Sequence, residues 1–368
     1  MTPMLENRHA LFELLAAWSE RGWLRELDRT LAHFFAELDP QASPLLLLAA
    51  ALASHQLGQG HVCLDLQTTL ADPDSALSLP PEGEDAEGVS LLPSEVLAGL
   101  SVDAWLAACA GSALLHDAED EVAPLVLRGS CLYLRRYWDY ERSVAEDLGE
   151  RLQGADAPAD LAQRLAVLFP EPLQLAGVRL TDWQKLACAL AARGRFTLIT
   201  GGPGTGKTTT VVRLLALLQA AALDRGAPLR LSLAAPTGKA AARLTESIGA
   251  QVASLPVSEA VRGQIPNTVT TLHRLLGSRP DSRHFRHHAA NPLPLDVLVV
   301  DEASMIDLEM MANLLDALPL HARLILLGDK DQLASVEAGA VLGDLCRDAE
   351  AGGYSEATRA WLAQQTGE

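Results

Sequence analysis

Residues 196–218 read FTLITGGPGTGKTTTVVRLLALL: a short apolar run, a glycine-rich turn and the start of an amphipathic helix. Gly201, Gly206, Lys207 and Thr208 satisfy the spacing G-x-x-x-x-G-K-[ST], which marks a nucleotide-phosphate cradle when a strand precedes it and a helix follows. Gly202, Gly204 and Gly206 carry no Cβ, so the turn can take positive φ and aim successive backbone N–H groups at phosphate oxygens. The helix N-terminus adds partial positive charge. Lys207 can reach the β- and γ-phosphates as a point charge, and the Thr208 hydroxyl is a hard oxygen ligand for Mg²⁺. With Pro203, Thr205 and Thr209 completing the turn and first helical residues, the stretch predicts ATP with Mg²⁺ as its ligand.

Further polar groups recur at the ends of apolar runs. LVVDEASMID (298–307) puts Asp301 and Glu302 at a strand tip. There one carboxylate can hold the Mg²⁺ shell while its neighbour orients or deprotonates the attacking water. LLGDKDQLASV (326–336) places Asp329 and Gln332 at another tip, where an amide can sense a γ-phosphate. Gln184, ahead of the cradle strand, carries an amide able to read the donor and acceptor edge of adenine. APTGKAAARL (235–244), with Thr237 and Lys239, and TVTTLHRLL (268–276), with Thr270, Thr271 and His273, offer hydroxyls, backbone N–H groups and one lysine. Those groups suit the phosphates of a single nucleic-acid strand, although as isolated segments they equally suit ordinary turns.

The elements needed to position these groups follow from periodicity. Strands are expected at 196–200, 230–235, 297–301 and 323–328, separated by helices through about residue 221, from 238, and near 308–318. Nearly all-apolar strands alternating with helices predict a parallel sheet covered on both faces, with ligands at the carboxyl ends of the strands. Residues 5–57 show helical spacing, a short strand is expected at 61–66, helical pattern resumes over 94–115, and 125–134 reads as a hairpin. Trp138, Tyr140 and Arg142 fit core packing better than base stacking. Pro170 and Pro172 read as a linker, dividing the chain into a mostly helical domain, 1–172, and an α/β domain, 173–368. The segment 277–294, with Arg279, Arg283, His284, Arg286, His287 and His288, reads as a basic exposed hairpin rather than a metal site.

Composition bounds the rest. With 368 residues, 49% of them hydrophobic, and a formal charge of −18, the chain can build large cores but does not coat nucleic acid by bulk electrostatics. A narrow groove for one strand remains compatible with that charge. Five dispersed cysteines without a C-x-x-C pair and no signal-peptide pattern predict a reducing, cytoplasmic setting and no membrane span. The acidic residues Glu82, Glu84, Asp85 and Glu87 read as a solvated loop.

In order, Gln184, GGPGTGKT, APTGKAAARL, TLHRLLG, VVDEASMID and LLGDKDQLASVEAGAVLGDL resemble the first half of the motif series of superfamily 1 DNA helicases, in wording similar to the alpha subunits of the exodeoxyribonuclease V family. LAAALASHQLGQGHVCLDL (48–66) resembles the same family's N-terminal region, so nearly the whole chain is covered. The resemblance implies a RecA-like P-loop NTPase domain preceded by a partner-docking domain. It further implies an ATP-driven 5′–3′ motor acting on single strands at duplex DNA ends, in recombinational repair, with beta and gamma subunits as partners. On that basis Lys207, Thr208, Asp301, Glu302 and Gln332 serve ATP hydrolysis, Gln184 contacts adenine, and Thr237, Lys239, Thr271 and His273 lie along DNA. The segment 277–294 corresponds to a pin-bearing insertion. The family's second motor domain is not matched, and Arg213 and Arg243 read as solvated helix residues rather than arginine fingers. The 368 residues alone are thus expected to bind Mg-ATP weakly and turn it over slowly; the other reading is a truncated ATP-binding docking module without motor activity.

Overall fold

The computed structural model describes residue 5 and residues 7–81, 92–116, 123–154, 157–332, 338–349 and 353–368. Two compact units account for them, the first formed chiefly by residues up to Arg142 and the second chiefly by residues from Ser143 onward. The acidic loop residues 82–87 and the stretch 333–337 of the Gln332 motif lie outside the described residues.

The first unit packs the helices Arg8–Glu20, Glu26–Leu38 and Pro44–Gly58 against a small sheet. Pro44 opens its helix at N1 and Ser43 caps it, accepting from Leu46 N at 3.1 Å. That helix is buried on every side from Leu45 to Gln56, which explains why its sequence is apolar without periodicity. The sheet runs Cys63–Asp65, Cys131–Leu134, Leu125–Arg128, Leu115–His116, so the hairpin over 125–134 is present. The helical pattern over 94–115 is divided instead. Short helices Pro93–Val96 and Val102–Cys109 are separated where Gly99 takes φ +74 and Ser101 caps anew, and the chain is already extended at Leu115–His116. The aromatic cluster packs on itself, with Tyr133 edge-on to Trp138 at 5.2 Å and Arg136 over Tyr140 at 5.4 Å.

The second unit is α/β. Five strands stand in the order Phe196–Thr200, Arg323–Gly328, Val297–Val300, Leu231–Ala235, Thr270–Thr271, all parallel. Four of them match the expected strands; the two-residue Thr270–Thr271 strand is too short to give a period. Val297 to Val300 are fully buried, as a central parallel strand requires. Helices Trp183–Arg193, Lys207–Asp224, Gly238–Ala253 and Leu308–Ala317 follow or flank these strands. Leu161–Leu168 packs its Leu161, Leu165 and Leu168 into this second core, so the change of unit falls ahead of the linker read at Pro170 and Pro172.

Arginines bind the amino ends of the strands. Arg323 donates to Ala191 O and Gly194 O at the end of one helix. Fully buried Arg151 donates to Leu318 O, Pro319 O and Ala322 O at 2.7, 3.1 and 2.8 Å and pairs with Asp147. Arg230 grips Asp296 with its backbone N–H and two side-chain nitrogens at 2.8–2.9 Å. That grip holds the Asp296 carboxyl down at about 2. A carboxyl depressed on folding stabilises the fold above its ordinary value, and the contribution disappears as pH falls through the folded value. Asp296→Asn should therefore cost about 1 kcal/mol near neutral pH, after allowance for the half-exposed Arg230. The gap in melting temperature from the parent should close between about pH 4 and pH 2; a gap that stays constant across that range would contradict the assignment.

Candidate nucleotide site and strand-tip row

The cradle forms at the carboxyl end of the Phe196–Thr200 strand. Gly204 and Gly206 take φ +78 and +87, the left-handed region that side chains strain to enter. A Cβ at Gly206 would sit 2.2 Å from Gln184 Nε2, and one at Gly201 would sit 2.8 Å from Thr205 Oγ1. Gly206 is thus held by its torsion and by the Gln184 amide against it, Gly201 by the Thr205 side chain alone. Thr205 Oγ1 donates to Gly202 O at 2.8 Å and Thr210 Oγ1 to Gly206 O at 3.0 Å, closing the turn onto its helix. Pro203 and Gly204 stand exposed at its crest, while Thr208 and Thr209 occupy the first helical turn, half-buried. The Lys207 ammonium curls back onto Gly201 O and Gly202 O. Gln184, early in the Trp183–Arg193 helix, donates to Thr205 O at 3.2 Å, so an amide far upstream in sequence lies directly on the cradle.

Adjacent tips continue the row. Gly201 N donates to Gly328 O at 3.2 Å and Lys330 N to Thr200 Oγ1 at 3.3 Å, joining the cradle to the turn that follows Arg323–Gly328. In that turn Asp329 is buried and accepts from Asp331 N and from Gln332 Nε2, at 3.1 and 3.2 Å. The Gln332 amide is therefore held by Asp329, with its side chain exposed. One strand further, Asp301 N donates to Ala234 O at 3.0 Å. Burial pushes the Asp301 carboxyl above the usual carboxylate range, reinforced by the neighbouring Glu302 charge; the Glu302 N–H and the Lys207 ammonium act in the opposite sense. Glu302 takes φ 54, ψ 40, left-handed for a non-glycine residue, and strain of this kind concentrates at functional sites.

The far end of the row holds the remaining sequence candidates. Thr237 caps Gly238–Ala253, accepting from Ala240 N at 3.2 Å, and Thr271 caps Leu272–Leu276, accepting from Arg274 N at 3.2 Å. Their hydroxyl oxygens thus already serve helix ends, whereas Lys239 and His273 are exposed. His273 meets Phe285 edge-on at 5.9 Å. The 277–294 segment is exposed but carries two isolated bridges, Arg279↔Ser282 and His288↔Asn291, in place of a continuous hairpin ladder. Among the described residues no group of three His, Cys, Asp or Glu side chains gathers in ligating reach.

A cavity of about 1150 Å³ opens beside the cradle, lined by Gly201, Thr205, Lys207 and Gln184 and, further out, by Trp183, Phe169, Arg213 and Tyr354. Arg213, read from sequence as solvated, instead lies over the Phe169 ring at 4.4 Å and forms part of this wall. Neither its role nor that of Trp183 was visible in the sequence, since each depends on which helices meet at the edge of the sheet.

The residues present suit a magnesium nucleoside triphosphate: backbone amides around two left-handed glycines, an ammonium, a hydroxyl at the helix start, and a carboxylate two strands away. The class is that of P-loop NTPases, and the AAA domain family profile matches residues 184–338. The profile of the RecBCD enzyme subunit RecD, N-terminal domain, matches residues 20–133. The RecBCD enzyme subunit RecD of Mycolicibacterium smegmatis is 45% identical over 324 residues, covering 86% of this chain and 51% of that protein. The protein of the same name from Haemophilus influenzae is 42% identical over 332 residues, covering 88% and 50%. The ATP-dependent RecD2 DNA helicase of Deinococcus radiodurans is 43% identical over 145 residues, covering 39% and 17%. The chain is similar to these RecD proteins over most of its own length, and it spans about half of theirs. No helix among the described residues is long and apolar enough to cross a membrane.

Proposed function

We propose that this chain supplies the ATP-hydrolysing motor of a DNA helicase subunit that moves 5′ to 3′ on one strand at duplex ends, in recombinational repair, assembled with beta and gamma subunits. The observation carrying this reading is the row of strand tips: cradle, Asp329–Gln332 turn, Asp301–Glu302, then Thr237 and Thr271, each on the next parallel strand.

In this mechanism Lys207 leaves the two carbonyls and draws the β- and γ-phosphates. Thr208 and Asp301 would hold Mg²⁺, which would supply positive charge beside the phosphates. Glu302, presented by its left-handed backbone, orients the attacking water and takes its proton. Gln332, released from Asp329, detects the γ-phosphate. Gln184 reads the base. DNA phosphates meet Lys239 and His273 three to four strands from the cradle, about 14–19 Å at the usual strand spacing. A signal between the two ligands then passes through the Asp301 and Gln332 strands that stand between them.

The test separates the two ends. Replacing Lys239 and His273 together by Ala leaves both threonine caps intact. It should weaken single-strand DNA binding about tenfold by fluorescence anisotropy, to a similar degree for every sequence, and flatten the salt dependence. Affinity for Mg-ATP should hold. A loss that depends strongly on base sequence, or one that falls equally on ATP, would count against this placement.

A further inference from the structure

Gly201, Thr205 and Lys207 of the cradle line the 1150 Å³ cavity, and the rest of its lining must receive whatever is attached to phosphates seated there. Its outer wall contains one unusual group. Trp183 is 66% exposed, the largest side chain among the exposed apolar residues. Trp18, Trp23 and Trp105 are buried, Trp138 packs on Tyr133 and Trp361 lies under Arg193. Trp183 has no ring or cation partner among the described contacts, yet its backbone is fixed. It is the first residue of the Trp183–Arg193 helix, held by the Asp182 cap, whose side chain accepts from Lys185 N at 3.0 Å. Its neighbour Gln184 already touches the cradle through Thr205 O.

An indole that is anchored at its backbone, bare on its faces and continuous with a phosphate site presents a flat apolar surface where a base has to lie. Arg213, pressed on Phe169, closes another part of the same wall with a second planar group. Resting on the ATP reading above, we propose that Trp183 is the stacking platform for the nucleotide base and the main source of preference for purines over pyrimidines at this site. Stacking responds to the area of the base, and Gln184 responds to its edge. Trp183 thus sets ring size, and Gln184 selects among rings of that size.

The experiment titrates the chain with Mg-ATP, Mg-CTP and inorganic tripolyphosphate by calorimetry, in the parent, Trp183→Ala, Trp183→Phe and Lys207→Ala. Loss of a stacking aromatic should weaken ATP roughly tenfold. CTP should weaken less, so that the ratio between them narrows, while tripolyphosphate changes by less than about twofold. Phe should restore most of the ATP affinity. Nucleotide-induced quenching of tryptophan emission should be smaller in Trp183→Phe than in the parent. Unchanged ATP affinity in Trp183→Ala would overturn the proposal while leaving the cradle reading intact, provided Lys207→Ala loses both ATP and tripolyphosphate. Equal loss of ATP and tripolyphosphate in Trp183→Ala would also overturn it, because the residue would then be acting through the cradle. A parent chain that binds neither ligand would remove the cradle reading and this proposal with it.

Discussion

Lys207→Ala should reduce DNA-stimulated ATP turnover by at least about a hundredfold in the assembly proposed above, measured with the partner motor disabled. The size follows from removing one preorganised cation from the place where phosphoryl charge develops. Among the described residues this ammonium donates to the carbonyls of Gly201 and Gly202 in its own loop. Gly201 and Gly202 are half-buried residues of the surface turn, so the truncation should lower the melting temperature by no more than a few degrees. A variant that unfolds, or one that retains the parent's turnover, would show that Lys207 is a structural residue and not the phosphate contact.

Arg151→Ala should have the largest effect on stability, about 3–5 kcal/mol, read as a fall in the denaturation midpoint of the chain. The guanidinium is fully buried, and its removal would leave the Asp147 carboxylate without its ion pair and the carbonyls of Leu318 and Ala322 without their arginine donors, while Pro319 O keeps the Ala322 N–H. Removing one partner of a buried, hydrogen-bonded charge costs far more than the pair itself contributes. Arg151→Ala combined with Asp147→Ala should recover part of the loss, since no unpaired charge then remains. Additive losses in the double variant would mean that the carbonyl contacts alone account for the effect.

The cradle was legible because its chemistry is local: positive φ, a helix start and a lysine must occur within nine residues, and Gly201 to Thr209 spell them out. Four strands of the parallel sheet were legible because strands covered on both faces are mostly apolar, although only Val297–Val300 is buried throughout. The order of those strands was not. That Arg323–Gly328 lies between the cradle strand and Val297–Val300 depends on pairing between segments far apart in sequence, and no local period records it. Leu161–Leu168 shows the same limit at the domain boundary. Its spacing of Leu161, Leu165 and Leu168 announces an apolar face but not which core receives it. Thr237 and Thr271 were ambiguous for another reason. A hydroxyl at a strand-to-helix turn suits an anion and a helix cap equally, and here both oxygens serve caps. Arg213 was misread because a charged helical residue looks the same in sequence whether it faces water or an aromatic ring; only the fold lays it over Phe169.

The arginines at the amino ends of the strands divide the labour of the second unit. Arg151, Arg230 and Arg323 tie helix ends, loops and strand starts together on one side of the sheet. The cradle, the Gln332 turn and the Glu302 turn emerge on the opposite side, held by backbone bonds, hydroxyl contacts and the Asp329 carboxylate. Amide hydrogens should therefore exchange slowest near the arginine rivets and faster toward the opposite margin, as local opening samples the least anchored segments first. A ligand arriving at that margin can tighten it without breaking any buried ion pair. The cost of closing then falls on segments that contribute little to global stability, so repeated cycles of binding and release can proceed without bringing the domain near unfolding.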